Sequence, residues 1–491
     1  MKQLTGLDSQ FLAMETHSVS GHVASVCVLD PTTATGEFTL DHLTEAIAQR
    51  LPLVPLLRQR LVEVPLGLDQ PYWIDDPDFD IEFHVREVAL PAPGDDRQLS
   101  EQVARLHARP LDRSRPLWEL YLISGLADGR IAVYNKIHHA AVDGSAGADL
   151  LGVLLDLSAE GRPAPAEPVP FAGEEVPDAW KLLGHSVVSA VRQPAHALRV
   201  VRGLVQSSPA IAGVLKEPLA QLLPGRREQD DPVLPGLRLR APRTPFNTAI
   251  TPHRRWAFTD LPLSEVKAVR QATDLTVNDV VMGLCAGALR RWLLDHDALP
   301  DAALVAAVPV SVRTESEQGT MGNQVSIMLA GLPTDLDSAR DRLAEVHRAM
   351  RVAKEQHGAI PARLLADVSQ FSIPVLANRA WRLSARLRLF ERVNPYNLII
   401  SNVPGPDVPL YLAGAELQAY YPVSAIFDGQ GLNITVMSYR GRLFFGLVGC
   451  RELLPDLDLL AEYLRAELDE MLGVEGDVRD DEADRPVVAE H

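Results

Sequence analysis

Cysteine is scarce in this sequence, and long apolar runs are missing from it. Cys27, Cys285 and Cys450 are odd in number and widely spaced, which argues against a disulfide framework and favours a reducing compartment. The chain opens without a basic region followed by an apolar run, and no window approaches the ~20 apolar residues of a spanning helix. We therefore expect a cytoplasmic protein, made without a secretory signal, that is soluble or peripheral to a membrane.

Positive charge is also in short supply. The chain has 47 Lys and Arg against 65 Asp and Glu, which gives a formal net charge of -18. A nucleic-acid partner would require a basic face, so this balance argues against one. The 491 residues are 46% hydrophobic, which is enough for two domains that each bury a core.

The most informative stretch is His138-His139-Ala140-Ala141-Val142-Asp143-Gly144. Residues 130–137 before it alternate apolar and polar side chains, which predicts a strand with one buried face. Residues 145–157 after it have the spacing of an amphipathic helix. The two histidines therefore end a strand and Asp143 precedes a helix, positions at which a rigid scaffold often displays reactive side chains.

A histidine at this position can accept a proton from an alcohol, because the imidazole pKa lies close to neutral pH. Such a base needs a partner on its second nitrogen, which fixes the tautomer. Asp143 could be that partner, or it could instead order the loop by pairing with an arginine. Gly144 supplies backbone freedom where the strand turns into the helix.

The two histidines also have less specific interpretations. A histidine pair alone is more often solvated or satisfied within a core than catalytic. His138 and His139 are adjacent on an extended segment and point to opposite faces, so we predict no metal site. Residues 143–147 lack the first glycine of the serine nucleophile elbow, which excludes that arrangement.

Composition and periodicity divide the chain into four predicted segments: a first domain over residues 1–170, a linker over 171–240, a second domain over 241–473 and an acidic, disordered tail over 474–491. Gly473 is expected to end the last helix. Within the linker, residues 180–223 place basic side chains in a Leu-, Val- and Ala-rich background. This stretch could lie on an anionic membrane or droplet surface, or it could be a helical crossover packed between the domains.

Smaller signals add candidates in both predicted domains. Residues 57–64 and 81–88 are strand-like. Pro116 is expected to fix the entry of a strand and Trp118 to fill the core, which are structural roles. Leu432–Tyr439 and Leu443–Val448 flank a short turn and predict a hairpin.

In the second domain, Thr276 and Asp279 match a capping box at the start of a helix. Asn278 beside them could donate a hydrogen bond to a developing oxyanion, and Ser311 is a second candidate for that contact. Arg313 could order a loop as a salt-bridge partner.

Six motifs cover most of the chain: Leu7-Asp8-Ser9-Gln10-Phe11-Leu12, Pro116-Leu117-Trp118, residues 138–144, Asn278-Asp279, residues 309–313 with Gly322-Asn323, and residues 397–406. The pattern HHxxxDG of residues 138–144 alone resembles only the wider CoA-dependent acyltransferase superfamily. The six motifs together, in this order, resemble the bacterial wax ester synthase/diacylglycerol acyltransferase family, and most of all its actinobacterial, triacylglycerol-synthesising members.

The resemblance implies two chloramphenicol-acetyltransferase-like α/β domains, each a mixed sheet flanked by helices, with the HHxxxDG loop in a tunnel at their interface. It implies transfer of a long-chain acyl group from acyl-CoA, the co-substrate, to the hydroxyl of a diacylglycerol or a fatty alcohol, without a further cofactor. His139 would be the general base and no acyl-enzyme would form, while His138 and Asp143 would hold the loop and the tautomer. Peripheral contact with the inner face of the membrane or with lipid droplets would bring the enzyme to its substrates.

Two other functions fit parts of the pattern. A condensation domain carries the same histidine motif but joins carrier-bound acyl groups to amines. The sequence Asp428-Gly429-Gln430-Gly431-Leu432 stands where such domains usually carry a DFGWG-like turn, which argues against this function. A lipid-surface binding protein without catalysis is the other alternative, and the intact His138, His139 and Asp143 argue against it.

Overall fold

A computed structural model of the chain describes residues 1–141, 154–162, 173–184, 233–234, 237–238, 241–273, 275–311, 325–358 and 394–483. Two six-stranded sheets organise these residues. A separate hydrophobic core packs against each sheet. The predicted pair of α/β domains with mixed sheets flanked by helices is therefore confirmed.

The first sheet combines strands from both halves of the chain. In spatial order it contains Tyr411–Leu412 (β14), Ala415–Val423 (β15), His22–Asp30 (β2), Ile131–His138 (β7), Trp118–Ser124 (β6) and Val85–Ala89 (β5). β5 is parallel to β6, and the other neighbours are antiparallel. Residues 411–423 therefore belong to the first sheet, although the predicted boundaries put them in the second domain, because periodicity does not reveal which sheet a strand joins.

The second sheet lies entirely in the C-terminal half. In spatial order it contains Arg254–Pro262 (β10), Arg442–Cys450 (β17), Leu432–Tyr439 (β16), Leu398–Val403 (β13), Leu304–Ser311 (β11) and Val325–Leu332 (β12). β13 is parallel to both of its neighbours. β16 and β17 form the predicted hairpin. Arg440 and Gly441 at its turn have φ of 42° and 72°, the left-handed backbone that tight hairpins require.

The α-helices with described bounds are Gly6–Met14 (α1), Leu40–Ala48 (α2), Ile81–His84 (α3), Asp96–His107 (α4), Leu263–Thr273 (α5), Val277–Asp295 (α6), Ala339–Gly358 (α7) and Leu457–Ala483 (α8). The predicted capping box of α6 is present, because Thr276 and Asp279 each accept the other's backbone N–H. Trp292 of α6 is buried with the apolar face of α8 in the second core. None of these helices is long and apolar enough to span a membrane.

Short strands complete the fold. Lys2–Gln3 (β1), Tyr72–Asp75 (β4) and Gln59–Val62 (β3) form a small sheet, and Val233–Leu234 (β8) pairs with Leu237–Arg238 (β9). Leu182 packs on the small sheet against Val64 and Tyr72. Only residues 180–184 of the basic stretch 180–223 are described, so its conformation stays a prediction.

Three sequence predictions are wrong in detail. α8 continues through Gly473 to Ala483, so Gly473 does not end the helix and the predicted disordered tail is helical over residues 474–483. Residues 81–88 begin as α3 rather than as a strand, because the Asp80 carboxylate accepts the Glu82 N–H at 3.0 Å and caps a helical turn. Residues 55–58 form a 3₁₀ turn before β3. The helix expected over residues 145–157 lies mostly outside the described residues, and its last predicted member, Leu157, is 76% exposed.

Close contacts join the two sheets. A Cβ on Gly446 of β17 would lie 1.7 Å from the carbonyl oxygen of Pro422 on β15. The indole N–H of Trp256 donates to the same carbonyl at 3.3 Å. His107 of α4 lies 3.1 Å through Nε2 from the carbonyl oxygen of Ser424. The end of β15, a strand of the first sheet, therefore packs against strands of the second sheet.

Candidate active site

His138 is fixed through both ring nitrogens. It is the last residue of β7 and is 1% exposed. Its Nδ1 accepts the backbone N–H of Ala140 at 3.0 Å, so the ring proton belongs on Nε2. Nε2 lies 3.1 Å from Glu15 Oε1 and donates to it. This arrangement holds the turn that carries the next histidine.

His139 opens that turn, the 3₁₀ segment His139–Ala141. Its backbone N–H donates to the Gly21 carbonyl at 2.8 Å. Its ring stacks on Phe11, with the ring centroids 3.9 Å apart and the planes 14° from parallel. Burial and then the neighbouring His138 lower the pKa of His139 to about 4. The imidazole is therefore neutral near pH 7 and able to accept a proton.

Glu15, immediately after α1, connects this site to the rest of the first domain. Besides His138, its carboxylate accepts the Gly21 N–H at 2.8 Å and the Nε and Nη2 of Arg113 at 2.9 and 2.5 Å. Burial raises the pKa of Glu15, but the His138 hydrogen bond, the charge of Arg113 and the Gly21 N–H outweigh it and lower the pKa to about 2. Glu15 is thus an anion that orients His138.

No role for Glu15, Arg113 or Gly21 was predicted from the sequence. Glu15 and His138 are 123 residues apart, and spacing carries no information about a contact over that distance. A Cβ on Gly21 would lie 2.7 Å from His138 Nε2, so the glycine permits the close approach. Phe11 belongs to the motif at residues 7–12, but only the fold shows that its ring faces His139.

The other predicted site residues are distributed differently. Asp143, Gly144 and Arg313 lie outside the described residues, so their roles stay predictions. Ser311 ends β11 opposite Val325. Two further candidates lie at the start of α6. Asn278 Oδ1 accepts a hydrogen bond from the side-chain amide of Asn402 at 3.3 Å. Asp279 caps the helix and also accepts a hydrogen bond from His347 Nδ1 at 3.0 Å. The structure thus joins the two histidines to the N-terminal helix, and it joins Asn278 to β13.

Pro116 and Trp118 have the predicted structural roles. Trp118 is 4% exposed, donates its indole N–H to the Leu57 carbonyl at 2.7 Å and stacks on His84. Pro116 is buried just before β6. Leu117 between them accepts the His138 N–H at 2.9 Å. The entry to β6 therefore directly supports the turn that carries His139.

The glycine-containing turn at residues 428–431 is a structural element of the second half. Asp428 Oδ1 accepts the Ile250 N–H at 3.0 Å, and Gly429 has φ of 81°. Gly431 donates its N–H to the Phe246 carbonyl at 2.9 Å. Among the residues that the structure describes, no group of three or more His, Cys, Asp or Glu side chains is arranged to hold a metal ion.

Comparison with known proteins agrees with this geometry. Residues 4–281 match the wax ester synthase/diacylglycerol acyltransferase catalytic domain, and residues 321–472 match the C-terminal domain of the same family. The chain belongs to this family. A Mycobacterium tuberculosis H37Rv protein provisionally named a diacylglycerol O-acyltransferase is 38% identical to this family member over 473 residues, which cover 96% of this chain and 90% of the relative. The tgs2 protein of the same organism is 35% identical over 466 residues, covering 94% and 97%.

Solved structures extend the family likeness to the fold. The wax ester synthase/diacylglycerol acyltransferase from Marinobacter aquaeolei VT8 is 31% identical, with a TM-score of 0.70 over 97% of this chain and 100% of that chain. The first condensation domain of the calcium-dependent antibiotic synthetase has a TM-score of 0.55 at 17% identity over 96% and 97% of the two chains. This second likeness concerns the fold alone.

Proposed function

We propose that this wax ester synthase/diacylglycerol acyltransferase family member is an acyl-CoA-dependent O-acyltransferase. Its acceptor is the hydroxyl of a diacylglycerol, giving triacylglycerol, and also that of a fatty alcohol. The observation that carries the proposal is the state of His139. Its imidazole is neutral, its backbone N–H donates to the Gly21 carbonyl, and its ring stacks on Phe11. The names of the relatives support the same reaction class.

In the proposed mechanism His139 accepts the proton of the alcohol hydroxyl while the oxygen attacks the thioester carbonyl. The tetrahedral oxyanion collapses and breaks the carbon–sulfur bond, and His139 returns the proton to the CoA thiolate. The acyl group passes directly to the alcohol, so no acyl-enzyme forms. Acyl-CoA is the co-substrate, and the reaction needs no further cofactor.

The supporting roles follow from hydrogen-bond capacity. His139 Nδ1 is buried without a partner among the described residues, and Asp143 is our candidate for the carboxylate that completes it. Gly144 would give that loop its freedom. Asn278 uses its oxygen to accept from Asn402, which leaves its N–H₂ group to donate to the oxyanion. Ser311 is the second candidate donor, and Arg313 is proposed to order the loop that follows it.

The lipid substrates suggest where the reaction takes place. We propose that the HHxxxDG loop lines a tunnel between the two domains and that the protein works in the cytoplasm, in peripheral contact with the membrane or a lipid droplet. Trp180, at the start of the basic stretch, is 83% exposed beside Lys181. A solvent-facing indole next to a cation is typical of interfacial contact. Replacing Trp180 with Ser should reduce co-sedimentation with phospholipid vesicles.

The test is thiol release from palmitoyl-CoA with dipalmitoylglycerol, hexadecanol or an amine offered in parallel. Alcohol-dependent release is expected, and His139→Ala should lower it about 10²–10⁴-fold, the contribution of a positioned base, with an unchanged circular dichroism spectrum. Release with the amine alone would favour a condensation-type enzyme. No release with any acceptor, combined with retained vesicle binding, would favour a lipid-surface binding protein.

A further inference from the structure

Three arginines form a basic patch at one edge of the first sheet. We define the basic patch as Arg86, Arg109 and Arg115. The guanidinium carbons of Arg86 and Arg115 lie 4.5 and 4.1 Å from the centre of the same Phe83 ring. Arg86 also donates to the hydroxyl of Tyr121 at 2.8 Å. Arg109 lies beside this pair, because Lys136, which binds Glu119 at 2.9 Å, also donates to the Arg109 carbonyl at 3.1 Å. The three cations are therefore close neighbours on one surface.

Carboxylates do not neutralise this patch. Glu119 lies 3.8 Å from Arg86, but the buried Lys136 binds the same carboxylate more closely, at 2.9 Å. In the described part of the chain, neither Arg109 nor Arg115 forms an ion pair with a carboxylate. Asp112 is near Arg115, yet its Oδ1 is engaged by the backbone and hydroxyl of Ser114. Such a patch stands out in a chain whose formal net charge is -18.

Arg86 of the basic patch and His138 lie on the same face of the first sheet. Arg86 of β5 is in register with Tyr121 of β6, and Glu119 is in register with Lys136 of β7. Paired residues share a face, and residues two apart on a strand share it too, so Arg86 and Lys136 lie on the face of His138. β5 and β7 are separated by one strand, about 10 Å. Arg115 also lies two residues before Leu117, which binds the His138 N–H.

We propose that the basic patch binds the phosphate groups of the acyl-CoA nucleotide. This inference rests on the proposed function, which supplies a donor with a thioester at one end and several phosphates at the other. Guanidinium groups bind phosphate through two parallel hydrogen bonds, and neighbouring arginines with at most one long carboxylate contact among them are suited to a polyanion. Phe83 keeps two of the guanidinium planes in place before the ligand arrives. The thioester then extends from the basic patch to His139.

The experiment compares two donors in the full-length protein. Palmitoyl-CoA carries the phosphates, and S-palmitoyl-N-acetylcysteamine has the same thioester without them. Arg109→Gln and Arg115→Gln, singly and together, should raise KM for palmitoyl-CoA about tenfold per arginine, the effect of one lost charge-assisted contact. KM and kcat for the truncated donor should stay unchanged. Arg340→Gln removes the same charge from an exposed position on α7 and should alter neither donor's kinetics.

Calorimetric titration with CoA separates this inference from the proposed reaction. Binding does not require turnover, so the basic patch is tested even if wild-type protein transfers no acyl group. We expect the double variant to bind CoA at least ~10-fold more weakly, with a smaller dependence on salt concentration. Unchanged CoA affinity, or an equal loss of activity with both donors, would overturn the assignment.

Discussion

Glu15→Gln is the substitution that most directly tests how the turn that carries His139 is supported. The native carboxylate accepts hydrogen bonds from His138, Gly21 and Arg113 at once. Glutamine has nearly the same shape, but it has no charge and only one acceptor oxygen. The change therefore leaves at least one of the three donors without its partner and turns an N–H₂ group towards another.

The size of the effect follows from the pKa of Glu15, which the folded protein holds at about 2 instead of 4.5. That difference corresponds to about 3 kcal/mol of stability at neutral pH. The contribution is complete above pH 4.5 and is lost as the pH falls towards 2, because the unfolded chain binds the proton first. Arg113 is 39% exposed, and water would replace part of its contact, so we expect a loss of about 2 kcal/mol.

The expected loss of activity is larger than the loss of folded protein. His138 holds the Ala140 N–H and so fixes the backbone that carries His139. A displacement of about 1 Å at a reacting group costs up to ~10²-fold in rate, so kcat should fall about 10- to 100-fold.

Urea unfolding measures the stability, and thiol release with dipalmitoylglycerol measures kcat. Glu452→Gln is the matched control, since Glu452 also pairs with a histidine, His253, at 2.7 Å but on the surface of the other half. That variant should change stability by less than ~1 kcal/mol and leave turnover intact. Native stability and native kcat in Glu15→Gln would refute the role assigned to Glu15.

Three further predictions concern the base, its stacking partner and the fold. With a pKa of about 4 for His139, the kcat/KM obtained from initial rates of alcohol-dependent thiol release should stay level from pH 8 to 5 and fall by half near pH 4. A midpoint at pH 6.5 would show that burial does not lower this pKa. Phe11→Leu should lower kcat by up to about tenfold, since a stacked ring pair contributes about 0.5–1.5 kcal/mol, whereas Phe11→Tyr should be nearly native; equal rates for all three proteins would remove the stacking argument. Gly446→Ala should destabilise the protein by about 3 kcal/mol or more, because its methyl group meets the Pro422 carbonyl. In Gly473→Ala the added methyl group meets nothing within 4 Å, so this variant should raise thermal stability by up to ~1 kcal/mol. Destabilisation by Gly473→Ala would mean that α8 ends there.

Local signals predicted much of the fold. The hairpin around Arg440 and Gly441 and the capping box of Thr276 and Asp279 each depend on residues that are neighbours in the sequence. Short-range chemistry decides such elements, so a single sequence contains enough information. The position of His138 at a strand end followed from the same kind of pattern.

Contacts between segments that are distant in the chain could not be predicted from the sequence. β15 has the alternation of any half-buried strand, and nothing in it indicates pairing with β2 from the other half of the chain. Glu15 lies beyond the end of a short helix and becomes informative only when the fold brings it to His138. Gly473 was predicted to end the last helix, but the helix continues past it to Ala483. Glycine ends a helix through a left-handed conformation, and composition does not reveal whether the chain adopts it.

The central claim is direct transfer with His139 as the base, and the most direct test follows the protein and the thiol together. Wild-type protein is mixed with palmitoyl-CoA in the absence and presence of dipalmitoylglycerol, and samples are taken for CoA release and for intact-protein mass. Direct transfer predicts release only with the alcohol present, no mass increase at any time, and loss of release in His139→Ala. A stoichiometric burst of CoA without alcohol, with a protein heavier by one palmitoyl group, would contradict it.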